Sequence, residues 1–181
     1  MPVLSEAENN SFKRLFYVAS AVLIFDQLSK YLIEQWVPFG ISYFEPDRIP
    51  VIDNFFYIVH IGNEGAAWGL FSEYKGMLTI LAFVVLALIY CFKNQLGLKY
   101  KSVQVAFGLL IGGIIGNLID RIRLGYVIDF IDIHLPFQIP FIIPYGRWPA
   151  FNVADSCIVM GLFSYLILNH LLSKKAISNG Q

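Results

Sequence analysis

The sequence predicts an all-α membrane protein with four transmembrane helices and extended outer segments. Three observations predict it. Apolar residues make up 57% of the 181 positions and charged residues only 14%, with a mean hydropathy of +0.62, too apolar for an ordinary soluble domain. Four apolar runs are each long enough to cross or nearly cross a bilayer. Finally, the basic residues are unevenly divided between the connecting segments.

The elements follow in order within one integral membrane domain, 1–181. Residues 1–14 are polar, end in Lys13-Arg14 and read as a cytoplasmic tail. The first span is "LFYVASAVLIFDQLSKYLIEQW", about 15–36. Its length, its Asp26 and Lys30, and the lack of a small-x-small site after it argue against a cleaved leader. The second is "GMLTILAFVVLALIYCF", about 76–92, the third runs over about 103–121, and the fourth, "DSCIVMGLFSYLILNHLL", over about 155–172. Lys13, Arg14, Lys93, Lys99, Lys101, Lys174 and Lys175 fall on one side. Arg48, Lys75, Arg121, Arg123 and Arg147 fall in the much longer segments of the other, 37–75 and 122–154 with the end of the third span. That density difference places both termini in the cytoplasm and the long segments outside.

In the outer segments, "IPVIDNFFYIVHIG", 49–62, is rich in β-branched and aromatic residues and reads as a strand. Prolines at 136, 140, 144 and 149 exclude a regular helix over 133–149 and favour extended backbone. The interleaved Phe137, Ile139, Phe141, Ile142, Ile143, Tyr145 and Trp148 suit the membrane interface. A net charge of zero and the lack of basic runs argue against nucleic acid as a partner. Cys91 and Cys157 lie in apolar runs without a spacing pattern. His60, His134 and His170 are far apart, and no metal or other cofactor is expected.

The charges inside the apolar runs carry the functional signal. An ionisable group near the bilayer centre costs roughly 2.5–3.5 kcal/mol, and each Leu, Ile, Phe or Val returns only about 0.3–0.6 kcal/mol. Asp26 and Lys30 lie i, i+4 and can pair, pinning the first helix to its neighbours. Gly108, Gly112, Gly116 and Asp120 fall four apart on one stripe of the third span, a device for close helix approach. Asn117, Asp120 and Arg121 occupy its outer turn, where Asp120 and Arg121 are candidates for an interface ion pair. Asp129 follows that span closely, and Asp155 opens the fourth with Asn152 as a possible cap. Both carboxylates therefore arrive at the outer side at one depth. Residue types alone leave two readings. One is a turn carboxylate and a helix cap. The other is a proton-sharing pair for general acid/base hydrolysis. A proton-coupled transporter is a further class, but the inner halves of spans two to four offer almost no polar path. A non-enzymatic assembly or chaperone protein is another, and would tolerate Asp129→Asn.

Five ordered blocks decide among these. "DQLSK" (26–30), "NEGAAWG" (63–69), "GGIIGNLIDR" (112–121), "VIDFID" (127–132) and "FNVADS" (151–156) resemble the lipoprotein signal peptidase, or signal peptidase II, family over roughly residues 15–172. The resemblance implies an aspartyl endopeptidase of the bacterial inner membrane. It would remove signal peptides from prolipoproteins just before a diacylglyceryl-modified cysteine. It further implies four helices with a small periplasmic β-sheet cradle, a monomer, contact with membrane lipid and inhibition by globomycin-type cyclic peptides. Carried over by position, the catalytic pair falls on Asp129 and Asp155. Supporting or substrate-binding positions fall on Asp26, Asn63, Gly65, Asn117, Asp120, Arg121, Asn152 and Ala154. Ala66, Ala67 and Gly69 would leave room for substrate backbone, and Phe55, Phe56, Tyr57 and Trp68 are candidates for a clamp above it. Two departures stand out: Trp68 where phenylalanine is more usual, and the long proline-rich stretch between the two aspartates.

Overall fold

The computed structural model describes residues 12–40, 48–65, 76–140, 143 and 146–179, with the last helix's side chains described through Lys174. The described residues form four helices and one three-stranded sheet: α1 (Lys13–Trp36), β1 (Ile49–Ile52), β2 (Phe56–Asn63), α2 (Met77–Phe92), α3 (Lys101–Leu124), β3 (Val127–Ile133) and α4 (Val153–Asn179). α1, α3 and the Val153–Lys174 part of α4 are long and apolar enough to cross a membrane, and α2 is a shorter apolar helix. The long helices begin two residues before the spans read from sequence, so Lys13 and Arg14 belong to α1, not to a tail.

The centre of the fold is α3, which packs most extensively against α4 and α1. Its glycines make this possible. A Cβ at Gly112 would lie 2.7 Å from the Ala19 carbonyl of α1, and one at Gly113 would lie 2.5 Å from the Ala154 carbonyl of α4. The stripe is filled by neighbouring helices. On α1 the buried residues Leu15, Val22, Asp26, Lys30 and Ile33 form one face, spaced three, four and seven apart. Two of these five are charged, so that face does more than pack. α2 buries no residue. It leaves an apolar cleft of about 490 Å³ against α1 and α3, lined by residues such as Phe16, Leu23, Leu86 and Ile111, with Lys93 the only charged side chain on its wall among the described residues. None of the site acids lines this cleft.

The sheet is antiparallel in the order β1-β2-β3. The single strand expected over 49–62 is instead a hairpin. Asp53, Asn54 and Phe55 make the turn, with Asn54 at φ 59°, a conformation asparagine tolerates. β1 is exposed throughout, whereas β3 is buried at five of its seven positions. Tyr57 is buried, with the Arg48 guanidinium 3.9 Å from its ring centroid and the His134 ring 4.7 Å away. It therefore cannot be an exposed clamp, while Phe55 stays exposed. Ala66, Ala67, Trp68 and Gly69 lie outside the described residues.

The described residues of the proline-rich segment form no regular helix, but they run through bends and a turn instead of one extended stretch. Isolated bridges join His134 to Arg147, Ile139 to Ile143 and Ile131 to Phe151. Phe137, Ile139 and Trp148 are exposed, but Ile143 is buried, so the segment is not uniformly a surface layer; Phe141, Ile142 and Tyr145 lie outside the described residues. The last bridge matters most. Phe151 exchanges hydrogen bonds of 2.9 and 3.1 Å with Ile131, which returns the chain antiparallel to β3 just before α4 begins.

Candidate active site

The site forms where α3 hands over to β3 and where the returning chain enters α4. Gly125, at φ +84°, ends α3 with its N–H on the Arg121 carbonyl. Two residues later β3 starts, with Asp129 as its third residue. Asp129 stands opposite Ile61 of β2. Its burial comes from the sheet, not from a turn.

Asp155 sits in the first turn of α4, which Asn152 caps. The Asn152 Oδ1 accepts the Asp155 N–H at 2.9 Å, and the Asp155 Oδ2 accepts the Asn152 N–H at 3.2 Å. This reciprocal pair satisfies two donors that a helix start otherwise leaves open. The cap expected from sequence is present, and it does not exhaust either residue. The Asn152 Nδ2 also donates to the Asp129 Oδ1 at 2.8 Å. One asparagine thus touches both aspartates.

The remaining oxygens meet amides too. Asn63 Nδ2 donates to the Asp129 Oδ2 at 2.8 Å, and Asn117 Nδ2 donates to the Asp155 Oδ1 at 2.7 Å. Every oxygen of the two carboxylates therefore holds a neutral donor. Burial pushes the Asp129 carboxyl up to about 7, and the Asp155 charge pushes the same way; the Asn63 and Asn152 amides and the Lys30 charge oppose them.

Beneath this pair lies an ionic floor. The Lys30 ammonium, 1% exposed, is 2.9 Å from the Asp26 Oδ2 and 2.9 Å from the Asp120 Oδ2. It also donates to the Asn117 Oδ1 at 3.0 Å. The expected Asp26–Lys30 pair is thus one side of a larger cluster. The expected Asp120–Arg121 pair gives way to Asp120–Lys30. Adjacent helix residues point in different directions, and Asp120 faces α1. Arg121 instead reaches the Gly65 carbonyl at 3.4 Å, and its buried Nε has no hydrogen-bond partner among the described residues. Gln27 closes the floor with bonds to the Asp120 Oδ1 at 3.0 Å and the Gly116 carbonyl at 3.2 Å.

All ten expected site residues meet here. Gly65 donates its N–H to the Asn63 Oδ1 at 3.0 Å, and Ala154, fully buried, donates its N–H to the Asp26 Oδ1 at 2.9 Å. Sequence reasoning missed Gln27, and took Lys30 only as a partner for Asp26. The signal for Gln27 was present: a polar residue beside Asp26 within an apolar run. Asp132, the other carboxylate in "VIDFID", turns away and meets the His134 ring at 2.8 Å. Among the described residues no group of three or more His, Cys, Asp or Glu side chains is placed to hold a metal ion.

Helices of membrane-crossing length around a buried cluster of acids, amides and one lysine define a multi-pass membrane protein with a polar site. Comparison with known proteins gives that class its family. The family model described as signal peptidase (SPase) II matches residues 18–172. A lipoprotein signal peptidase of Syntrophotalea carbinolica is 38% identical over 86% of this chain and 90% of its own length. One from Borrelia garinii subsp. bavariensis is 32% identical over 95% and 98%. A bacterial membrane enzyme structure obtained by the in meso method superposes with a TM-score of 0.70 at 32% identity, covering 97% of this chain and 96% of that one. The chain belongs to the signal peptidase II family, a family of peptidases.

Proposed function

We propose that this protein is an intramembrane aspartyl endopeptidase. It removes signal peptides from diacylglyceryl-modified prolipoproteins, cutting just before the lipidated cysteine. The observation that carries the reading is Asn152, which bonds Asp129 through its side chain and Asp155 through its backbone N–H. Two acids locked to one residue in a buried setting cannot both ionise freely, so the pair shares a proton. The ionised member takes a proton from water as the water attacks the scissile carbonyl. The protonated member donates to the developing oxyanion, and the proton taken from water passes to the leaving amine. Asn63 and Asn117 hold the outer oxygens, which keeps the inner faces directed at substrate.

In this reading the protein crosses the bacterial inner membrane four times, with α2 as the fourth span and both termini cytoplasmic. The acids then lie near the periplasmic face under the sheet. That depth suits the substrate. A signal peptide's apolar stretch stays helical in lipid and exposes its backbone only near the interface. The acyl chains on the cysteine remain in the bilayer. The enzyme works as a monomer without a cofactor, and a globomycin-type cyclic peptide occupies the site.

The test is direct. Purified protein in detergent is given a lipidated prolipoprotein, and the cut position is read by mass spectrometry. Cleavage before the lipidated cysteine, blocked by globomycin, is expected. Wild-type cutting by both Asp129→Asn and Asp155→Asn ends the aspartyl mechanism.

A further inference from the structure

We propose that Lys30 is a positioning residue for the acid pair, holding the chain beside both aspartates and the orientation of the amide that meets Asp155. The inference rests on the reading of Asp129 and Asp155 as the catalytic pair.

An ammonium has three donors and no acceptor. Lys30 spends all three on Asp26, Asp120 and Asn117, at 2.9, 2.9 and 3.0 Å. A pair that only pinned α1 in the bundle would need one acid. Here each of the three partners carries the contact on to the site. Asp26 holds the N–H of Ala154, the residue before Asp155, at 2.9 Å. Asp120 holds the N–H of Ile128, the residue before Asp129, at 3.2 Å. Asn117 donates to Asp155 itself at 2.7 Å. The cation thus stands one step from the backbone flanking each acid, through Asp26 on its own helix and Asp120 on α3.

Asn117 makes the role specific. A side-chain amide has one acceptor end and one donor end. With the Lys30 ammonium on its oxygen, only the NH₂ faces Asp155. Asn152 Nδ2 adds a second donor to that oxygen at 3.2 Å. Without the ammonium, Asn117 loses its strongest reason not to turn its oxygen towards a carboxylate. Gly116 lets the floor sit this close: a Cβ there would be 2.5 Å from the Asp26 Oδ2.

The experiment separates positioning from packing. Replacing a buried ion cluster with neutral groups of similar shape is often neutral for the fold. The triple variant Asp26→Asn, Lys30→Met, Asp120→Asn therefore tests the site without leaving an unpaired charge. It is expected to melt as wild type does while kcat for prolipoprotein cutting drops about 100-fold, the scale of a small misplacement, with KM within about twofold. In a second arm, Lys30→Met and Asn117→Ala are combined; the pair cuts no more slowly than the slower single variant if Lys30 acts through Asn117. Wild-type kcat in the triple variant overturns the inference, as do losses that multiply. So does a triple variant that fails to fold, because the ammonium is then a requirement of the bundle and not of the site. Asp129→Asn and Asp155→Asn run alongside. If they cut normally, the catalytic reading itself fails; if they are inactive and the triple variant is normal, only the role of Lys30 fails.

Discussion

Two pairs of aspartates, all buried except the half-buried Asp155, meet around the outer end of α3 and are treated in opposite ways. Asp26 and Asp120 each sit 2.9 Å from the same ammonium. Asp129 and Asp155 sit among Asn63, Asn117, Asn152 and the Asn152 N–H, with no ion pair to either among the described residues; the Arg121 charge acts on both through space. An acid clamped by a cation loses its partner if it takes up a proton. An acid held by amides keeps most of its bonds in either state. The lower pair is thus held by a cation, and in the proposed mechanism the upper pair exchanges a proton. In that proposed reading the same side chain serves as scaffold or as reagent according to what it is given to hold.

The comparison can be broken at either end. The largest effect belongs to the upper pair. Asp129→Asn or Asp155→Asn should lower cutting at least about a thousandfold, within the range for loss of acid/base chemistry, while the thermal transition in detergent stays near wild type. The lower pair should reverse that pattern in stability. Lys30→Met alone leaves two buried carboxylates without their cation and should cost about 3–5 kcal/mol, read by denaturation; little change would mean that the floor is wetter than its burial implies.

A subtler expectation concerns pH. Asp129 moves from its ordinary 3.8 to about 7 in the fold, so the folded state binds that proton more tightly than the unfolded chain does. Its contribution is fully present below 3.8 and is lost as pH rises through about 7. The thermal transition of wild type should fall over that window more steeply than that of Asp129→Asn. Cutting should decline above about 7 as the shared proton leaves. The smallest effects distinguish two glycines. Gly113→Ala places a methyl against the Ala154 carbonyl and should cost about 1–3 kcal/mol. Gly125→Ala meets no atom within 4 Å and should cost only about 1–2 kcal/mol, for its left-handed backbone.

Much of this was legible in the sequence for physical reasons. Apolar runs of bilayer length announce the helices, and the four-residue glycine spacing announces close packing against α3. Asn152 was legible as a cap because its distance from Asp155 fits one. The strand at Val127–Ile133 was not, because Asp129 and Asp132 interrupt its apolar character and both are buried by tertiary contacts. The hairpin was merged into one strand because Asp53 and Asn54 were given less weight than the β-branched residues around them. Asp120 was assigned to Arg121 through adjacency, yet its true partner lies ninety residues away in the chain on α1.

The alternation along β3 has a consequence for how this site tolerates change. Ile128 and Phe130 pack with Ile33 and Val37, while Asp129 between them reaches Asn63 and Asn152. A single residue deleted between Gly125 and Ile128 would turn the strand over, sending the carboxylate into grease and the isoleucine among the amides. The loop ahead of β3 thus behaves like a reading frame: its spelling is free to drift, but its letter count is not.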